Sequence, residues 1–145
     1  MAKRILVPLD LGERAELVIP FAAALAKSGG ATVRLLHVSP LPEARVTEDH
    51  RVVATADQEM ERLLAKADDY LRMRETQFEG VPVESLVRFG RPAPEILVEA
   101  ETFGADLITM TRPEGRWLKR GLFGGVAAQV FRQSRVPVLL YRGLG

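Results

Sequence analysis

The sequence contains no cysteine, only two histidines and one tryptophan, and its 20 basic residues nearly balance 19 acidic ones. The absence of cysteine excludes disulfides, thiolate nucleophiles and thiolate metal sites, and it fits a reducing compartment such as the cytoplasm. His37 and His50 lie in different parts of the chain, so they do not form a metal-binding cluster. A net charge of +1 gives no overall field that would attract nucleic acid or an anionic membrane, and neither is expected as a partner.

Long hydrophobic runs are missing as well. The apolar stretch Ile5-Leu6-Val7 is too short for the core of a signal peptide and far too short to span a bilayer. The chain has 145 residues, of which 47% are hydrophobic and 27% charged, a composition typical of globular proteins with one core. We therefore expect a single cytoplasmic domain over residues 1–145.

Short apolar runs alternate with helical periodicities along the chain. The apolar runs predict five strands, at residues 5–9, 32–38, 83–89, 107–110 and 136–141. Helices are expected at residues 17–27, 53–78, after Pro92, and 124–134, with Pro20 in the first turn of the first helix. In the long second helix, Met60, Leu64, Ala67 and Leu71 mark one apolar stripe.

The connection from about residue 41 to residue 51 has two prolines, mixed charge and no clear period. So long a connection inside a compact domain is usually either a functional flap or a disordered strap. Both interpretations stay open.

Strands that alternate with helices predict an open five-stranded parallel sheet with helices on both faces, an α/β fold. In such sheets ligands bind at the carboxyl ends of the strands, where the strand order reverses. The connections after the first, second and fourth strands are therefore the places to look for a site.

Asp10 follows the first strand and places a carboxylate at this edge. It could accept a hydrogen bond from a ribose hydroxyl or help to hold a magnesium ion. Aspartate is also common in turns and helix caps, so a capping role is the alternative.

A basic, glycine-containing segment precedes the last helix. Backbone N–H groups at the start of that helix could meet a phosphate, which Gly124 and Gly125 would let approach closely, while a plain turn with a solvated basic face is the alternative. The segment is not a Walker loop, and no GxGxxG follows the first strand. Trp117 could stack on a base or pack at an interface, and His37 is expected to be structural.

Five motifs in this order resemble the universal stress proteins. They are Ile5-Leu6-Val7-Pro8-Leu9-Asp10, Leu35-Leu36-His37-Val38, Gly90-Arg91-Pro92-Ala93-Pro94-Glu95-Ile96-Leu97, Ala105-Asp106-Leu107-Ile108-Thr109-Met110 and Gly124-Gly125-Val126-Ala127. The resemblance implies strand order 3-2-1-4-5, as in adenine nucleotide alpha hydrolase-like folds. It also implies a homodimer formed through the last strand, from Val136 to Tyr141.

Members of that family that bind ATP have a loop of the form Gly-x-x-Gly-x9-Gly-Ser/Thr. Here the loop is degenerate, because Thr111 and Glu114 stand at the two earlier glycine positions and Gly125 replaces the hydroxyl residue. The nucleotide-binding residues implied by the resemblance are Pro8, Leu9, Asp10, Val38, Met110, Gly115, Gly124, Gly125 and Val126. Cations of the same loop that could neutralise phosphate are Arg112, Arg116, Lys119 and Arg120.

Two functions follow as hypotheses. The first is a stress-response or signalling module that binds ATP, with Mg²⁺ on Asp10, or another adenine nucleotide. It would not be an enzyme beyond a slow incidental ATPase, since no general base is placed for an attacking water. The second is a homodimeric interaction protein of the same family that does not bind nucleotide. Its loop 112–123 would contact a partner through Trp117, Leu118, Leu122 and Phe123.

Overall fold

The computed structural model describes residues 3–43, 45–112 and 125–142. The strands in these ranges are β1 (Arg4–Pro8), β2 (Thr32–Ser39), β3 (Arg45–Val46), β4 (Val52–Ala54), β5 (Val83–Phe89), β6 (Leu107–Thr111) and β7 (Val138–Tyr141). The helices are α1 (Ile19–Gly29), α2 (Ala56–Glu75), α3 (Pro92–Phe103) and α4 (Gly125–Gln133), and a 3-10 turn (Ala15–Val18) precedes α1. No helix of this described part is long and apolar enough to cross a membrane.

Five strands form one parallel sheet in the order β5-β2-β1-β6-β7. Counting only the strands of this sheet, the order is 3-2-1-4-5, which confirms the predicted α/β fold. The chain first builds the sheet outward from β1 through β2 to β5 and then crosses back to add β6 on the other side of β1. The order therefore reverses between β1 and β6, where an open α/β sheet leaves a crevice at its carboxyl edge.

The alternation of side chains along β1 divides the core into two layers. Ile5, Val7 and Leu9 pack on the side of α1 and α2, and Leu6 packs on the side of α3 and α4. Because β1 is covered on both faces, nearly every residue of this strand must be apolar, and its burial pattern shows this.

The ends of α1 follow from its sequence. Pro20 lies in the first turn, as predicted, where its missing N–H leaves no hydrogen bond unmade. Gly30 ends the helix with a left-handed φ of 65°, a conformation that glycine adopts without steric cost.

The long second helix differs from its prediction at both ends and in its burial. It ends at Glu75 and not at residue 78. It begins at Ala56 and not at residue 53, because Thr55 and Gln58 form a reciprocal capping box with hydrogen bonds of 3.1 and 2.9 Å. The apolar stripe is also only partly buried, since Met60 and Leu64 are 38% and 45% exposed. The core packs only against the C-terminal half of this helix face, where Ala67 and Leu71 are buried.

The connection after β2 is not the aperiodic loop that we expected. Its second part forms a two-stranded antiparallel sheet of β3 and β4. Between the strands, the N–H of Thr47 donates to the carbonyl of Arg51 at 2.9 Å, and His50 has a left-handed φ of 61°. Strands of two and three residues are too short to carry a periodicity that can be detected in the sequence.

Asp106 joins the amino-terminal ends of β1 and β6. Its Oδ2 accepts the N–H groups of Lys3 at 2.7 Å and Arg4 at 2.9 Å, and its own N–H donates to the carbonyl of Arg4 at 2.8 Å. The hydrogen bonds from Lys3 and then Arg4 lower the pKa of the Asp106 carboxyl below its ordinary value, because they favour the charged form.

We expect Asp106→Asn to lower the free energy of unfolding at neutral pH. Since the folded-state pKa lies below the unfolded value of about 3.9, the stabilisation is fully present above that value and is lost as the pH falls through the folded pKa. Urea unfolding between about pH 7 and pH 2 should show the gap between wild type and variant closing in acid. Asp69→Asn, at an exposed position of α2, serves as the control. A gap that stayed constant into strong acid would contradict this account.

Candidate functional site

A cleft of about 360 Å³ opens at the carboxyl edge of the sheet, at the point where the strand order reverses. Such a volume lies within the range of small-molecule binding sites. The lining combines the ends of three strands, β1, β2 and β6, with the 3-10 turn and the first turns of α3 and α4. The lining residues are Pro8, Leu9, Asp10, Arg14, Ala15, Leu36, Val38, Pro92, Ile96, Met110, Thr111, Arg112, Gly125, Val126 and Ala127.

The carboxylate of the cleft is held by a tight turn. Asp10 Oδ1 accepts the N–H of Gly12 at 2.8 Å, which fixes the side chain against its own loop. A Cβ atom on Gly12 would lie 3.0 Å from that same oxygen, so the turn favours glycine. Between them, Leu11 has a left-handed φ of 68°, a costly conformation for a leucine. The Oδ2 atom of Asp10 has no hydrogen-bond partner among the residues that the structure describes, and it is available to a ligand.

The inner wall of the cleft is apolar. Leu36 is fully buried, Ile96 is 3% exposed and Met110 is 9% exposed, and Val38 is half-buried at the end of β2. Flat, weakly polar groups such as a purine base fit a wall of this kind.

The opposite side of the cleft is formed by the start of α4. Gly125 has a φ of 83°, and among the described residues outside its own helix no atom lies within 4 Å of the position where its Cβ would stand. The first N–H groups of a helix have no partner inside the helix, so the backbone here can donate to an anion. A second, shallower cavity of about 260 Å³ continues past Gly125 and Val126 toward Arg91 and Arg132.

Two arginines line the cleft beside Asp10. Arg112 follows β6 and was predicted from the sequence, whereas Arg14 in the turn after β1 was not. The side chain of Arg14 reaches across the edge of the sheet, and its Nη2 donates to the carbonyl of Arg112 at 3.2 Å. The sequence places Arg14 in the connection after the first strand, but the spacing from Asp10 does not show where its side chain extends.

Thr111 joins the 3-10 turn to the end of β6. Its Oγ1 accepts the N–H of Val18 at 3.2 Å and donates to the carbonyl of Ala15 at 3.0 Å. The sequence suggested that this threonine would obstruct a phosphate where relatives have glycine. In the structure its hydroxyl fixes the wall of the cleft from which Arg14 extends, and the effect of its Cβ on a phosphate stays a prediction.

We expect Thr111→Val to lower the free energy of unfolding by about 1–2 kcal/mol, because it removes the hydrogen bonds of the hydroxyl to the N–H of Val18 and the carbonyl of Ala15. Thr109 on the same strand provides a matched control. Its Oγ1 is buried and has no hydrogen-bond partner among the described residues, so Thr109→Val should be neutral or stabilising. Urea denaturation of both variants measures the difference, and equal losses would contradict the role given to Thr111.

His37 lies next to the cleft but is not part of its lining. It is 8% exposed, and its Nδ1 lies 2.8 Å from the carbonyl oxygen of Leu9, to which it donates. The ring thus connects β2 to the end of β1, as expected of a structural histidine.

The structure brings most of the predicted site residues together. The cleft is lined by Pro8, Leu9, Asp10, Val38, Met110, Arg112, Gly125 and Val126. Outside the described residues lie Gly115, Gly124, Arg116, Lys119 and Arg120, as do Trp117, Leu118, Leu122 and Phe123 of the alternative interaction surface. That all of these residues bind a nucleotide stays a prediction.

The chain matches the model of the universal stress protein family over residues 1–142. Among curated proteins it is similar to universal stress protein MJ0577 of Methanocaldococcus jannaschii, with 28% identity over 98% of this chain and 96% of the relative. A solved structure of hypothetical protein MJ0577 superposes with a TM-score of 0.79, covering 99% of this chain and 97% of that one.

Two further solved structures share the fold and contain nucleotides. One is a universal stress protein in complex with cAMP, with a TM-score of 0.68 and 18% identity over 96% of this chain and 95% of that one. The other is the universal stress protein from Archaeoglobus fulgidus in complex with dAMP, with a TM-score of 0.60 and 24% identity over 97% and 98%.

Proposed function

The chain belongs to the universal stress protein family, and on that basis we propose that it binds an adenine nucleotide, ATP in the first place, in the cleft at the carboxyl edge of the sheet. Its role would be that of a cytoplasmic stress-response or signalling module whose state depends on the bound nucleotide.

The observation that carries this proposal is the division of the cleft into chemically different ends. The wall that contains Leu36, Val38 and Ile96 offers apolar surface to a base, and Asp10 Oδ2 offers an acceptor to a ribose hydroxyl. The start of α4 and the two arginines offer donors to phosphate. A base, a sugar and a phosphate follow each other in the same order in a nucleotide.

The two nucleotide complexes support the ligand class. Both cAMP and dAMP are adenine nucleotides, and both are held by chains of this fold. At identities of 18% and 24% these likenesses concern the fold alone, so the assignment to this chain depends on its own cleft.

We propose binding without efficient turnover. Asp10 is the only carboxylate among the described residues that line the cleft, and His37 uses its Nδ1 on the carbonyl of Leu9. Hydrolysis of a phosphoanhydride needs a group that positions and deprotonates the attacking water. Since no such group is placed among the described residues of the cleft, any ATPase activity should be slow and incidental.

Small molecules carried through purification provide the test. The protein is purified in native form and then denatured, and the released compounds are identified by mass spectrometry. We expect an adenine nucleotide in an amount that scales with the protein. Recovery of a compound without adenine would overturn the ligand class.

We further propose a homodimer formed through β7. The carbonyls of Pro137 and Tyr141 accept hydrogen bonds from β6. By the alternation of a strand, the backbone groups of Val138 and Leu140 face away from the sheet. An apolar edge that no other described strand pairs with is suited to pairing with a second copy. Light scattering should give twice the mass of one chain, and a single-chain mass at every concentration would overturn the dimer.

A further inference from the structure

The ladder of hydrogen bonds between β1 and β2 stops one bond short of the cleft. At the start of the ladder, the N–H of Thr32 donates to the carbonyl of Lys3 at 2.9 Å. Near its end, the N–H of Leu9 donates to the carbonyl of Leu36 at 2.8 Å. By the alternation of a parallel strand, the next bond would join the N–H of Val38 to the carbonyl of Leu9. These two described residues do not form that bond.

His37 accounts for the missing bond. Its side chain is 8% exposed, and its Nδ1 donates to the carbonyl of Leu9 at 2.8 Å. The oxygen that should accept the next backbone N–H of β2 therefore accepts a ring N–H. Because side chains stand out of the plane of a sheet, a carbonyl that bonds to this ring is turned out of the ladder.

The backbone of Val38 is thus left open in the cleft. Val38 lines the cleft and is half-buried. Its N–H and carbonyl face the side of β1, but β1 has already ended at Pro8. Neither group has a hydrogen-bond partner among the described residues. Since backbone groups inside a protein are almost always paired, this N–H is available to a ligand.

We propose that His37 is a positioning residue for the base. By holding the carbonyl of Leu9, it keeps the N–H of Val38 free to donate to N1 of an adenine. The imidazole itself does not touch the ligand, because it lies outside the lining of the cleft. This inference rests on the proposed nucleotide binding and adds to it how one histidine prepares the end of the cleft that receives the base.

Calorimetric titration with adenosine and with 1-deazaadenosine, which has a C–H in place of N1, tests the inference. Wild type should bind adenosine about tenfold more tightly, the effect of one hydrogen bond. His37→Leu removes the donor to Leu9, so the backbone bond can form and the preference should disappear. His37→Asn is the matched control, because asparagine has the branched shape of leucine but keeps an N–H donor. It should retain the preference.

Amide hydrogen exchange of the nucleotide-free protein provides a second measurement. If the missing backbone bond forms in His37→Leu, the amide of Val38 should exchange about tenfold more slowly there than in wild type and in His37→Asn. Exchange at the same rate in all three folded proteins would overturn the role given to His37. Circular dichroism shows whether each variant is folded.

The outcomes separate this inference from the proposed function. If folded His37→Leu prefers adenosine as wild type does, or if wild type binds both nucleosides equally, the inference is overturned while nucleotide binding stands. A general loss of stability does not imitate the expected result, since the preference is a ratio of two affinities in one variant. If neither ATP nor adenosine binds to folded wild-type protein, the proposed function fails and this inference fails with it.

Discussion

Replacing Glu99 by alanine is expected to lower the free energy of unfolding by about 3 kcal/mol. Glu99 lies on α3, is completely buried, and uses both carboxylate oxygens. Oε2 accepts from Arg34 at 2.5 Å, and Oε1 accepts from Arg88 at 2.8 Å. Removing this carboxylate leaves two cations facing a gap between α3 and the sheet. The loss should fall at the lower end for buried pairs, because Arg34 and Arg88 each keep a second glutamate.

Glu84 is the control for this prediction because it pairs with the same arginine. It accepts from Arg34 at 2.6 Å, but its side chain is 50% exposed, so solvent screens the pair. Glu84→Gln should therefore cost no more than about 1 kcal/mol. Urea unfolding followed by circular dichroism measures both variants, with unchanged m-values as the sign of two-state behaviour. Equal losses for the two variants would show that burial does not determine the strength of this network.

Val126→Trp should abolish nucleotide binding, weakening it by about a hundredfold or more because a bulky ring would occupy space that the ligand needs. Val126 lies in the first turn of α4, is 36% exposed, and lines the cleft. Since the position is open to solvent, the larger side chain can be accommodated without disturbing the core. Titration with ATP measures the loss of affinity.

Val98→Trp provides the matched control for the blocking substitution. Val98 is also a helical valine, 46% exposed on α3, and it is not part of the cleft lining. This variant should bind nucleotide as wild type does. Retained binding in Val126→Trp would place the nucleotide elsewhere on the molecule.

The five strands of the parallel sheet could be predicted from the sequence because each is a short apolar run. Residues 83–89 were predicted without error, and β5 occupies them. The other strands differ at their ends: β2 and β6 each extend one residue beyond the apolar run, β1 is shifted by one residue, and β7 begins only at Val138. Ser39 joins β2 because it pairs with Phe89, although its side chain is polar. The strand order came from the family resemblance, since apolar runs do not identify their neighbours.

The apolar stripe of α2, which is buried only in part, shows what helical periodicity cannot predict. A period of 3.6 residues tells which side chains share a face, and Met60, Leu64, Ala67 and Leu71 do share one. It does not tell how far the sheet extends beneath that face. Met60 and Leu64 are partly exposed because the core lies under the second half of α2.

Much of the cleft could be predicted, because strand ends in a parallel sheet converge at one edge. Asp10, Val38 and Met110 follow from that rule together with the resemblance. The contribution of Arg14 depends on the direction of a long side chain and on a hydrogen bond to a backbone carbonyl. Neither can be deduced from spacing. The second role of Thr111 was hidden for the same reason, since its hydroxyl bonds to the 3-10 turn some 90 residues earlier in the chain.

Titration of the purified, folded protein with ATP tests the central claim most directly. We predict saturable binding of one ATP per chain that is lost in Val126→Trp and retained in Val98→Trp. Absence of binding at millimolar ATP, both in EDTA and with Mg²⁺, would contradict the claim that the cleft of this universal stress protein is a nucleotide site.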